Sequence, residues 1–167
     1  MPAVSNVSTT GDLYLDGVLS GVKWATGTLT YSFPTDASFY GASYGSGEPT
    51  NNFEAFTADQ QTAVRSILKM YSTIVNLNFT EVTETASNHG DLRYAESDAT
   101  STAWGYYPST SPLGGDMWYN NTKNYYDTPV KGNYGYLTMM HETGHTLGLK
   151  HPHQASGSFG LMPIDHD

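Results

Sequence analysis

The sequence predicts one α+β domain, with α/β-like element order, in which a twisted sheet of about five strands is backed by two long helices. Three observations carry this reading. Ala63, Val64, Ile67, Leu68, Tyr71, Ile74 and Val75 recur at helical spacing across 57–75 and make one apolar stripe. Short alternating or aromatic stretches, punctuated by Gly and Pro, lie on both sides of that helix and read as strands. A second helix, capped by Asn133, carries Leu137, Met139 and Met140 into a histidine motif. Strand, helix, strands, helix is an order that one sheet covered by two helices satisfies.

Residues 1–12 are rich in Ser, Thr and Val without periodicity, so a flexible arm is expected there, followed by one domain over 13–167. Residues 13–21 place apolar side chains around an Asp-Gly turn signal and are expected to pack as an irregular segment. Residues 28–33 alternate, are β-branched or aromatic, and stop at Pro34; they predict a strand. Residues 35–53 are rich in Gly, Ser, Tyr and Asn and predict a long loop. Thr57 followed by Gln60 fits a capping box at the head of the first helix. Further strands are predicted at 78–82, 92–95, 103–107 and 116–120, the last two joined by a short loop containing Pro112 and Gly114-Gly115.

The chain has 167 residues, which suits one domain, and its 38% hydrophobic content is enough for a core. Only 14% of residues are charged, and the net charge is −9. That balance argues against nucleic acid or an anionic membrane as a partner. Without cysteine there is no disulfide, no thiolate metal site and no thiol nucleophile. No apolar run reaches 18 residues, and the first residues lack the basic and apolar regions of a secretory signal.

Residues 141–151 read H-E-x-x-H-x-x-G-x-x-H. Four residues apart on a helix is one face, so His141 and His145 can share one ion. Glu142 can then reach a water on that ion without being a ligand. Gly148 can adopt positive φ, end the helix and turn the chain so that His151 arrives as a third ligand. Three protein ligands leave one position open, as in catalytic rather than structural zinc sites. His89, His153 and His166 are expected to be exposed side chains rather than ligands.

With the motif and its flanks in view, the chain resembles the serralysin family of metzincin metallopeptidases over nearly its whole length. The flanks are residues 19–24 with the strand 29–33, residues 115–120 (Gly-Asp-Met-Trp-Tyr-Asn), residues 135–140, and the step His151-Pro152. The resemblance implies a metzincin-type fold and one catalytic zinc ion on His141, His145 and His151, with Glu142 as general base. It implies protein or peptide substrates, bound in extended form along an edge strand, for which Ala103, Trp104, Gly105 and Tyr106 are the candidates. It also implies a secreted monomer. Three departures stand out. The family's Ser-x-Met-x-Tyr Met-turn pattern is missing, so the chain is expected to end before it; Met162, eleven residues past His151, is the candidate in its place. The turn's tyrosine is missing with it. Relatives bind Ca2+ in a β-roll of Gly-Gly-x-Gly-x-Asp repeats, and no such motif supports calcium here. The alternative reading is a zinc-binding domain without peptidase activity, or a binding module.

Overall fold

The structure, a computed structural model, describes residues 1–164. The chain opens with a strand where the sequence suggested only an arm: β1 (Val4–Asn6) pairs antiparallel with β2 (Val22–Trp24) in a two-stranded sheet. Between them is a short helix, α1 (Leu13–Asp16), where an irregular segment was expected. Asp12 caps it by accepting the N–H groups of Tyr14 and Leu15. Both elements escape a periodicity test because each is too short to show a period.

The main sheet has six strands. β3 (Thr28–Ser32) is followed by two short 3-10 turns and a two-residue strand, β4 (Glu54–Ala55), which the sequence reading missed. Helix α2 (Ala58–Tyr71) comes next, then β5 (Asn78–Glu81), β6 (Leu92–Glu96), β7 (Ala103–Gly105) and β8 (Asp116–Tyr119). Helix α3 (Tyr134–Thr146) closes the regular structure. The strand order is β5-β3-β6-β8-β7, with β4 also on β6. Strands β5, β3, β6 and β8 run parallel; β4 and β7 are antiparallel to their neighbours, and β7 and β5 lie at the two ends of the order.

Helix α2 starts as its sequence dictates. Thr57 Oγ1 accepts the Gln60 N–H and Gln60 Oε1 accepts the Thr57 N–H. Ala63, Val64, Ile67, Leu68 and Tyr71 are buried as the stripe requires, each large aliphatic side chain contributing about 1.5–3 kcal/mol by leaving water. The stripe overran the helix, however. Ser72 and Thr73 turn their hydroxyls back onto the carbonyls of Lys69 and Met70, which offers the backbone an exit. Ile74 and Val75 are left exposed.

Helix α3 packs on β7 and β8 and against α2. Asn133 caps it by accepting the Tyr136 N–H at 2.9 Å. Trp24 ties its far end to β2, with the indole N–H donating to the Thr146 carbonyl at 2.8 Å. The expected loop at 35–53 forms a layer on the sheet's opposite face. There Tyr40 and Tyr44 pack with Ala95 and Trp118 in a second core, joined by Trp104 and Tyr106. A buried ion pair lies alongside: Asp116 accepts from Arg93 Nε at 2.8 Å and Nη2 at 2.6 Å, and also from the Tyr44 hydroxyl. Arg93 in turn lies 4.2 Å from the Tyr40 ring centroid, so the charge is hydrogen-bonded and stacked rather than stranded.

Candidate metal centre

Gly148 ends the histidine helix as its residue type allows. Its φ is +103°, and the Leu149 N–H returns to the Gly144 carbonyl at 2.9 Å. A Cβ at this position would lie 2.4 Å from the Val22 carbonyl oxygen, so glycine is needed for space as well as for conformation. The turn carries the chain back so that His151 meets His141 and His145.

Three Nε2 atoms converge there. His141 and His151 are 2.8 Å apart, His145 and His151 are 3.1 Å apart, and all three ligand atoms lie within 4.8 Å of one another. Nitrogens around a tetrahedral zinc at about 2.0–2.1 Å sit roughly 3.3 Å apart, which this spacing approaches. The outer nitrogens fix the protonation. His145 Nδ1 faces the Leu149 carbonyl at 2.7 Å, and His151 Nδ1 faces Gln154 Oε1 at 3.0 Å. Both partners are acceptors, so both Nδ1 atoms carry a proton, and in the neutral rings both Nε2 atoms then present lone pairs. Two lone pairs facing each other at this range repel unless a cation lies between them, so the donor set fits a divalent metal. Burial pushes the His141 and His145 pKa values down, and neighbouring histidines push the same way, which keeps the imidazoles in the neutral, ligating form.

Glu142 is buried beside this cluster, 6% exposed. Burial raises its carboxyl to about 7, while a hydrogen bond from the Gly105 backbone N–H pulls the other way. Gly105 lies so close to α3 that a Cβ would be 2.6 Å from the Glu142 carbonyl oxygen. The edge strand and the histidine helix are therefore in direct contact at the site.

The four edge-strand candidates divide by alternation. The Tyr106 N–H donates to Asp116 and the Thr102 carbonyl accepts from Asn120, so the backbones of 102, 104 and 106 face β8. Those of Ala103 and Gly105 face outward. The side chains of Trp104 and Tyr106 belong to the second core, and Tyr106 donates its hydroxyl to the buried Glu48. Tyr107, just past the strand, sets its ring edge-on to His145 with centroids 5.6 Å apart. Met162 is half-buried; its N–H donates to the Pro152 carbonyl at 2.9 Å, and its Cα and Cβ cover Gly17. With Pro152, His153, Leu161, Pro163 and Ile164 it lines an apolar cavity of about 430 Å³.

His153 is exposed and stacks on His151 at 5.1 Å, while His89 pairs with Glu84. His166 lies outside the described residues. The outer partners Leu149 O, Gln154 and Gly105 N–H were not singled out from sequence. Two of these contacts are made by the backbone, whatever side chain is present, and a lone Gln three residues past a ligand carries no signal of its own.

A mixed sheet laid over a helix whose histidines continue onto the loop behind it is the metzincin arrangement. A profile of the matrixin family of peptidases matches residues 46–161. Serralysin from Photorhabdus sp. (strain Az29) is 35% identical over 140 residues, which is 78% of this chain and 26% of that protein. Metallopeptidase AprA from Pseudomonas marginalis is 34% identical over 128 residues, covering 74% and 26% respectively. Serralysin C from Dickeya chrysanthemi is 32% identical over 138 residues, 79% of this chain and 28% of that one. The chain belongs to the matrixin family, among its serralysin-type metzincins. It spans about a quarter of the length of the curated relatives it matches. No helix among the described residues is long and apolar enough to cross a membrane.

Proposed function

We propose that the chain is a zinc-dependent endopeptidase that cleaves peptide bonds in extended or unfolded proteins. The observation that carries this is the convergence of three imidazole nitrogens beside the buried carboxyl group of Glu142, at the point where the edge strand meets the histidine helix. His141, His145 and His151 hold the zinc. When bound, zinc supplies a Lewis acid that polarises a carbonyl and brings the pKa of a water towards about 7. Glu142 accepts the proton of the attacking water and returns it to the leaving amine. The Gly105 N–H keeps the Glu142 carboxylate aimed during both transfers. The outward backbone groups of Ala103 and the Gly105 carbonyl pair with an extended peptide by strand addition, while Trp104 and Tyr106 anchor the strand from behind. Met162 is the proposed floor residue at the Met-turn position. The serralysin resemblance is the ground for reading the enzyme as secreted and monomeric; no sequence motif supports a calcium site.

The test pairs the parent with Glu142→Ala. Zinc is quantified by elemental analysis, and cleavage is followed on casein and a quenched peptide. One zinc per chain in both, with turnover in the parent alone, is the expected result. Equal cleavage by the variant would refute the role of Glu142. One zinc per chain with no cleavage by either protein would favour a metal-holding domain without peptidase activity.

A further inference from the structure

Lys150 precedes the third histidine and is 5% exposed. Its ammonium is solvated by the backbone: the Gly17 carbonyl at 2.5 Å and the Gly160 carbonyl at 2.9 Å. A buried ammonium is tolerated only where such partners are fixed, so the lysine and the two segments it bridges hold one another in place. The main chain repeats the connection. The Lys150 N–H donates to the Val18 carbonyl at 2.8 Å, the Ser20 N–H donates to the Gly148 carbonyl at 2.9 Å, and Leu19 and Leu149 form an antiparallel bridge. Ser156 Oγ adds a bond to the Ser20 carbonyl at 2.7 Å.

The segment from Gly148 to His151 has left helix α3 and has no helix or strand of its own to fix it. Its path is set by what it touches, and those contacts come from residues 17–20, some 130 positions earlier in the chain. The position of His151 Nε2 relative to the two helical histidines therefore depends on the N-terminal segment.

We propose that Lys150, together with residues 17–20, is a positioning device for the metal centre, so that zinc affinity is governed by a clasp distant from the ligands in sequence. This rests on the reading of His141, His145 and His151 as zinc ligands and adds to it a source of preorganisation. Lys150→Met removes the ammonium and leaves both carbonyls unpaired. Gly17→Ala attacks the clasp from the other side, because its Cβ would lie 2.6 Å from Met162 Cα and displace the Gly17 carbonyl. Lys69→Met, on the exposed side of α2, is the control.

The experiment measures zinc affinity by competition with a chromogenic chelator at 25 °C, and the visible absorption of the cobalt-substituted proteins. Circular dichroism establishes that each variant is folded. Outer partners of metal ligands typically change affinity about 10–100-fold, and a loss of at least about tenfold is expected for both clasp variants, with an altered cobalt spectrum. The control should match the parent. If Lys150→Met does not fold, Gly17→Ala decides. Parent-like affinity and spectrum in either folded clasp variant would overturn the proposal. If the parent itself takes up no metal, the metal-site reading falls and this inference falls with it, an outcome visible in the parent alone.

Discussion

Replacing Glu96 with Gln should make the protein more stable at pH 8 and leave it nearly unchanged at pH 5. Glu96 ends β6, is 2% exposed, and lies directly across the strand pair from Glu54. Burial pushes its carboxyl up from 4.5 to about 7; the Gln60 amide opposes this, and the charges of Glu54 and Asp127 add to it. In the unfolded chain the group loses its proton near the ordinary value, whereas in the folded chain it keeps it to about neutral pH. The folded state therefore binds more protons inside that window, and stability falls as pH rises through it. The contribution is fully present below pH 4.5 and lost above about 7. At 1.36 kcal/mol per pH unit the span is worth about 3 kcal/mol as an upper figure. With an unfolding entropy near 2.1 cal/mol/K per residue, that is roughly 8 °C in Tm for a chain of this size. Glutamine has the same shape and does not ionise. The assay is a set of thermal melts by circular dichroism on metal-free protein at pH 5, 6.5 and 8. Chelating the metal first keeps zinc binding out of the comparison. A variant less stable than the parent at pH 8, or a difference that does not change with pH, would show that Glu96 is not held protonated by its surroundings.

Asp116→Asn removes the carboxylate that Arg93 grips with two nitrogens and leaves the buried guanidinium only the more distant Glu84, at 3.6 Å; a loss of about 3 kcal/mol is expected in urea unfolding. Gly148→Ala imposes a side chain at φ +103° and against the Val22 carbonyl, so it should cost about 2 kcal/mol or more and lower the zinc content of purified protein. Thr57→Ala breaks the capping box at the opposite end of α2 from the metal site's neighbours; it should cost about 1 kcal/mol in chemical unfolding while peptide cleavage stays at the parent rate.

What could be read from sequence was what is encoded locally. Thr57 and Gln60 specify a helix start because donor and acceptor lie three residues apart. His141 and His145 specify one shared helix face because their spacing is that of the helix itself. The reading failed where a partner lies far along the chain. Val4–Asn6 became a strand because Val22–Trp24 was there to receive it. Tyr40 and Tyr44 look like loop residues among Gly and Ser, and they became core because Trp118 and Arg93 present a surface to cover. Trp104 and Tyr106 were grouped with Ala103 and Gly105 as one edge, and only the register with β8 separates the outward backbone from the anchoring side chains. That His151 joins the two helical histidines followed from the motif, whereas the contacts that steer it into place could not.

The bond between Trp24 and the last residue of α3 has an optical consequence. The protein has three tryptophans: Trp104 and Trp118 are cross-strand partners in the second core, while Trp24 stands apart from them on the Thr146 carbonyl. The emission of Trp24 is sensitive to the polarity and geometry of the point where the histidine helix gives way to the ligand loop. With Trp104 and Trp118 replaced by phenylalanine, the remaining fluorophore becomes an intrinsic gauge of that junction, readable in real time as metal is added or stripped and without any label.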